Sequence, residues 1–346
     1  MRKMLALVAG AVAIVGVLVA LPSTASGNAQ WHLGEQSSSL EFNAQVVPIG
    51  KNQVWAFGTR RFWEWSLGPT ATRWDGERWH EQEVPGGFGT SVTAAAASSD
   101  TNVWLATHSQ AGQVVSRWDG NGWTAMRRME SSAVADIAVL GEDDVWLFGE
   151  QTWHYTGSTW ARADLPMDVR RVSARSPRDI WVIGWDPLLD KPTAGHFDGT
   201  GWSTSPIDHP GDHVFPDGVS ADASGVWITA TVSDDVAQTS TPILLRRTGT
   251  GWQQEPVEQV VGPWRETFNP IPDGRGGHWF LGSTDVNSYD STLAHRSADG
   301  VWTQTPVHPS PGTAEFSTLA GVPGTGQLFA TGSLDGTPGI YLHRLP

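Results

Sequence analysis

Four of the 20 tryptophans, Trp63, Trp65, Trp185 and Trp264, stand apart from the regular spacing that the other sixteen obey. Each lies among charged side chains. Trp63 and Trp65 follow Arg60 and Arg61, Trp185 precedes Asp186, and Trp264 precedes Arg265 and Glu266. An indole ring stacks on the C–H face of a pyranose, while nearby carboxylate, guanidinium and imidazole groups bind sugar hydroxyls in pairs. The same residue types dominate protein–protein contact energies. A third possibility is that these segments only pack on one another. The candidate ligand-binding set is Trp63, Trp65, Trp185, Trp264, Arg60, Asp186, His209, Asp212, His213, Arg265, Glu266 and Tyr289.

No catalytic or metal constellation stands out beside that set. Glycoside hydrolysis needs two carboxylates at a defined separation, and the chain offers so many acids that spacing selects none. A sialidase would need an Arg cluster and a Tyr nucleophile. Arg60, Arg61 and Arg265 are available, with Tyr289 as the only loop tyrosine. His209 and His213 are four apart, but Pro210-Gly211 between them forbids the regular helix that would make them a zinc pair. Asp285–Asp290 lacks the spacing of a calcium loop. The chain reads as a binding protein rather than an enzyme, with no cofactor and no metal.

Composition narrows the partners. Net charge is −14, and losing Arg2 and Lys3 with a leader takes it to −16. So acidic a surface repels phosphate backbones and anionic lipid, which argues against nucleic acid. With no Cys there is no disulfide, no thiolate metal site and no lipid-modified Cys. Arg2 and Lys3 precede an apolar run from Met4 to Leu21, and Ser23-Thr24-Ala25 supplies small residues for cleavage. Residues 1–25 therefore read as a signal peptide, 26–346 as a secreted domain with no further membrane span. The uncleaved alternative is a membrane anchor.

The elements that position the candidate residues are set by a long repeat. One series is Trp55, Trp104, Trp146, Trp181, Trp227 and Trp279, continued by Leu328, with spacings from 35 to 52 residues. A second series is Trp31, Trp79, Trp123, Trp160, Trp202, Trp252 and Trp302, each just after a Gly-containing turn. Units of this length, each divisible into four short strands, are the signature of propeller blades. One example is Ser91–Ala97, Asn102–Thr107, Gln113–Trp118 and Gly122–Met126. The phase leaves the last unit short of its outer strand and the N-terminus with one to spare. Pairing Trp31–Glu35 with Ile340–Arg344 would close an all-β, seven-bladed β-propeller and remove an open edge. Loops joining second to third strands then share one face with the crossings between blades, and that face carries all twelve candidates.

The turns Trp74-Asp75-Gly76, Trp118-Asp119-Gly120 and Phe197-Asp198-Gly199 resemble the Asp-box hairpins of BNR-type propellers. The Val-Trp plus Asp-Gly-x-x-Trp unit resembles Trp-rich repeat propellers of secreted actinobacterial proteins, as does the use of Arg over Lys, which occurs only at 3, 51 and 191. The resemblance runs from Trp31 onward and departs from the Asp-box in having Asp and Gly adjacent. It implies the fold, a lectin-type use, and, by analogy with propeller lectins, a targeting subunit of a secreted complex or toxin. The expected function is glycan recognition at a cell surface or wall through the loop-rich face. The alternatives are a protein-interaction scaffold in the cell envelope, with a secreted protein as partner, and a glycan-active hydrolase or lyase.

Overall fold

The computed structural model describes residues 31–36, 41–62, 65–130, 133–207, 213–234, 239–249, 251–257, 270–283, 290–307 and 313–344. The expected signal peptide, residues 1–25, lies outside them. No helix among the described residues is long and apolar enough to cross a membrane.

Seven antiparallel sheets of four strands follow one another along the chain. Blade one holds Glu41–Gly50, Gln53–Phe62, Trp65–Trp74 and Trp79–Gln82. Blade two holds Ser91–Ser99, Asn102–Ser109, Gly112–Trp118 and Trp123–Met129, each within a few residues of the strands read from the sequence. The seventh sheet takes its outer strand from the N-terminus. Trp31–Gln36 pairs antiparallel with Thr337–Arg344, with Trp31 opposite His343 and Glu35 opposite Ile340. The ring closes as the phase of the repeat requires, so the first and last described strands pair with each other.

Blade-to-blade packing explains the two Trp series. Trp55, Trp104, Trp146, Trp181 and Trp227 are buried on second strands. Four of them meet the outer-strand Trp of the next blade edge to face. The pairs are Trp55–Trp123, Trp104–Trp160, Trp146–Trp202 and Trp181–Trp252, with centroids 5.6–6.1 Å apart and interplanar angles of 79–82°. This geometry sets the positive ring edge against the negative face of its neighbour. The buried indole N–H groups find acceptors at the preceding turn: Asn102 for Trp104, Asp144 for Trp146, Asp179 for Trp181 and Ser224 for Trp227, at 2.9–3.1 Å.

A third periodic position emerges in the register. The residue directly across from each first-series position is Arg73, Arg117, His154, His196, Arg246, His295 or His343. Several of these side chains lie on the Trp faces or reach the carboxylates that cap the indoles. His154 stacks on Trp146 at 3.9 Å and its Nε2 is 2.8 Å from Asp144. His196 repeats this with Trp181 and Asp179. In blade one, Arg73 donates from Nε to Asp100, which also accepts from Trp55. The innermost strands are joined differently. Side-chain oxygens of one blade accept backbone N–H groups of the next: Thr59 from Val92, Gln113 from Val134, Asp136 from Val172, Ser173 from Ala221 and Ser291 from Phe316. Inner-edge donors that would otherwise be orphaned are satisfied in this way.

The outer hairpins refine the Asp-Gly reading. Gly76, Gly120 and Gly199 have φ of 92–101°, as expected, but the preceding Asp residues do not adopt positive φ. Their carboxylates instead accept the N–H groups two and three residues on, at 2.8–3.0 Å. Those bonds hold the carboxyls of Asp75 and Asp119 below the usual range. Asp198, with the Thr200 hydroxyl as its leading partner, is lowered to about 2. Blade six carries one extra residue: Ser297 N–H bonds to Val301 O across the longer loop.

Candidate functional site

Five of the twelve candidate residues lie among the described ones, all at the rim where second strands hand over to third strands or where blades cross. Trp63, Trp264, His209, Asp212, Arg265, Glu266 and Tyr289 lie outside the described residues. The structure brings Arg60 and Trp65 together on the blade-one hairpin. It brings Trp185 and Asp186 together on that of blade four, which is formed by Asp179–Asp186 and Lys191–Phe197. His213 opens the inner strand of blade five, His213–Asp222. Blades one and four are not neighbours, so the five do not form one cluster.

The blade-four pair has a local task. Asp186 is buried, and its Oδ1 accepts the backbone N–H of Leu188 and Leu189 at 2.9 and 3.1 Å. Trp185 donates from Nε1 to Asp190 at 3.1 Å. Both side chains thus brace the turn that carries exposed Leu188 and Leu189. His213 is exposed and its ring lies 6.4 Å from that of Phe215.

Blade one presents the more developed surface. Phe62, Trp65, Leu67 and Phe88 are 63%, 62%, 42% and 68% exposed, a concentration of apolar area at one rim that burial in the core does not explain. Trp65 and Phe88 stack, with centroids 5.8 Å apart and planes 26° from parallel. Phe88 belongs to the crossing to blade two, and that crossing is tied down. Gly89 N–H donates to Ser66 O at 2.8 Å, Ser66 Oγ donates to Thr90 O, and Thr90 N–H returns to Gly87 O at 3.0 Å. Gly86 has φ of 131°, and a Cβ there would stand 2.9 Å from both Pro69 and Thr90. Only glycine fits there without strain. Arg60 makes a 3.4 Å contact with exposed Glu81, a surface pair of little energetic weight. The sequence reading found Trp65 and Arg60 but not Phe62, Leu67 or Phe88. The signal for Phe88 was present: an aromatic enclosed by Gly86-Gly87 and Gly89 does not fit a strand interior.

A cleft of about 290 Å³ opens behind that loop, between blades one and two. Its lining includes Gly86, Thr90, Thr107, Ser116, Ala125 and Arg128. The rim can therefore offer aromatic faces, hydroxyls and guanidinium groups within one region. That chemistry suits binding.

No protein-family model and no curated protein matches the chain. Solved structures do. YCF48 bound to a D1 peptide is 13% identical, with 93% of this chain and 97% of that one covered at a TM-score of 0.59. A catalytically inactive virginiamycin B lyase from Staphylococcus aureus, solved with quinupristin, is 13% identical over 92% and 100% of the chains, with a TM-score of 0.61. The Cps50 (Swd1) propeller domain of Myceliophteria thermophila is 11% identical over 90% and 98%, with a TM-score of 0.59. At such low identity these likenesses establish the architecture alone: the chain is a seven-bladed β-propeller with Trp-rich strands.

Proposed function

We propose that this chain is a secreted, non-catalytic recognition propeller that captures a protein or peptide partner on its loop-rich face. The observation that carries this reading is the exposed group Phe62, Trp65, Leu67 and Phe88, held on a rigid rim. Aromatic anchors fixed before binding lose little entropy on complex formation, which is what hot spots require. Secretion rests on the N-terminal leader pattern. The YCF48 structure with a bound D1 peptide supports the class of partner, as one use of the same architecture.

The glycan reading keeps one supporting observation. The Trp65–Phe88 pair offers aromatic faces of the kind that stack on a sugar ring. Aliphatic Leu67 and the breadth of the apolar group favour a protein segment over a pyranose. At the other candidate location, the Asp186 carboxylate already accepts two turn N–H groups. A role as targeting subunit of a secreted complex is compatible with either ligand.

Purified mature protein, tested in parallel on a glycan array and against phage-displayed linear peptides, separates the two. The expected result is peptide capture that Trp65→Ala and Phe88→Ala each weaken by about tenfold or more, or 1.4 kcal/mol. Both side chains are exposed, so stability stays within about 0.5 kcal/mol of the parent. Array binding that survives both substitutions, with no peptide captured, would overturn the reading.

A further inference from the structure

The cleft between blades one and two differs from the corresponding position of blade four. Ser116 precedes Arg117 on the third strand of blade two, and the matching residue of blade four is Gly195, which precedes His196. In blade four the crossing segment fills the space over that position. Leu165 and Met167 are buried there, with Cδ1 and Sδ 3.4 and 3.2 Å from where a Cβ on Gly195 would stand. In blade two the crossing segment carries Pro85, Gly86 and Thr90 instead, and the volume over Ser116 remains open. Buried Thr107 and Ser116 line it with hydroxyl-bearing side chains, beside the apolar Val114 and Trp123. The Thr90 hydroxyl receives only a 3.4 Å contact from Gly87 N–H, which leaves its own proton to donate.

The mouth also carries positive charge. Arg127 is spent on structure, with its guanidinium 3.6 Å above the Trp153 ring. Its neighbour Arg128 lines the cleft, is exposed, and forms no hydrogen bond or ion pair with another described residue. Arg61 is likewise exposed on the hairpin that anchors the cleft's covering loop. In a chain of net charge −14, cationic groups left available beside an apolar patch mark a place where the partner is acidic.

We infer that this cleft receives a carboxylate side chain, Asp or Glu, of the bound peptide. Arg128 pairs with the carboxylate and the hydroxyls of Thr90 and Ser116 donate to it, while apolar residues of the same segment lie on Trp65 and Phe88. A charge-assisted bond from guanidinium to carboxylate is the strongest polar contact this lining can make. The assignment rests on the peptide reading above and adds the chemistry of the recognised residue.

The test uses the same library of phage-displayed linear peptides on the full mature chain. Enriched sequences are expected to carry Asp or Glu close to an aromatic or Leu residue. Arg128→Glu should weaken the consensus peptide about tenfold or more and redirect selection toward Lys and Arg. Ser116→Leu, which copies the filled state of blade four, should weaken it as well. An unchanged melting temperature for Arg128→Glu shows that the surface change left the fold intact. Enriched peptides with no acidic residue would overturn the cleft assignment. So would an Arg128→Glu variant within about twofold of the parent, and in both cases the patch reading stands if Trp65→Ala still abolishes capture. If no peptide is captured, the peptide reading falls and the assignment falls with it. Selective binding of uronic acid-bearing glycans would assign the cleft to a sugar and also overturn the proposal.

Discussion

Replacing Trp104 by alanine is expected to lower the unfolding free energy by about 3–5 kcal/mol, measured by urea denaturation. The ring is fully buried, packs edge to face on Trp160 and lies 5.6 Å from Tyr155. Its loss removes an aromatic contact between blades two and three. It also leaves Asn102 Oδ1 without the indole N–H that it accepts at 3.0 Å, an additional cost for a buried polar group. Trp65→Ala should change stability by less than about 0.5 kcal/mol, because that side chain is mostly exposed. The contrast matters more than either value. Equal losses would mean that the two classes of tryptophan are not physically distinct.

The second large effect concerns acid and the closing seam. His343 lies opposite Trp31 in the strand pair that joins the two ends of the chain. It is buried, and neither ring nitrogen has a hydrogen-bond partner among the described residues. Burial, reinforced by the nearby His32, lowers its pKa from 6.5 to about 4. The folded state thus holds a neutral imidazole that the unfolded chain protonates more readily. Above about pH 6.5 the two states bind protons alike and nothing is lost. As pH falls toward 4 the unfolded state gains a proton that the folded state refuses, and stability declines by up to roughly 3 kcal/mol. Below that pH the contribution levels off. His343→Leu removes this dependence, so at pH 4 the variant should gain roughly that much relative to its own difference from the parent at pH 7. Parallel pH–stability curves for the two proteins would show that His343 does not titrate in this way. Asp222 and Asp273 carry lowered pKa values, with desolvation opposed by hydrogen bonds from His278 and His295. Their share of stability is also lost in acid, but it is common to both proteins and cancels in the comparison.

The fold was largely legible because each blade repeats the same local signals. The expected pairing of Trp31–Glu35 with Ile340–Arg344 is the pairing that forms, with Glu35 opposite Ile340. The Asp-Gly turns fall where expected, yet the Asp acts through its carboxylate as an acceptor rather than through its backbone conformation. The Arg and His residues opposite the first-series Trp stand in the sequence shortly before the outer turns. The stronger Trp signal masked them, and their spacing acquires meaning only once strand register shows that they share a face with the indoles.

The candidate site was less legible, for two reasons. Phe62, Leu67 and Phe88 are single apolar residues, and a pattern along one chain cannot tell an exposed ring at a hairpin tip from a buried one in a strand. The cleft is visible only through comparison of blades in three dimensions. Ser116 and Gly195 look unrelated until register aligns them, and the missing plug is a property of the crossing loop rather than of either residue. Asp186 illustrates the converse: a carboxylate that reads as a ligand-binding group in the sequence serves its own turn.

We place recognition on the blade-one rim, separate from the tryptophans that build the ring. Oxidative footprinting of the mature protein, with and without its captured peptide, tests it most directly. Protection of Phe62, Trp65 and Phe88 is expected, with Trp185, Leu188, Leu189 and Phe215 modified at unchanged rates. Protection confined to blades four and five, or to the turns on the opposite face, would contradict it.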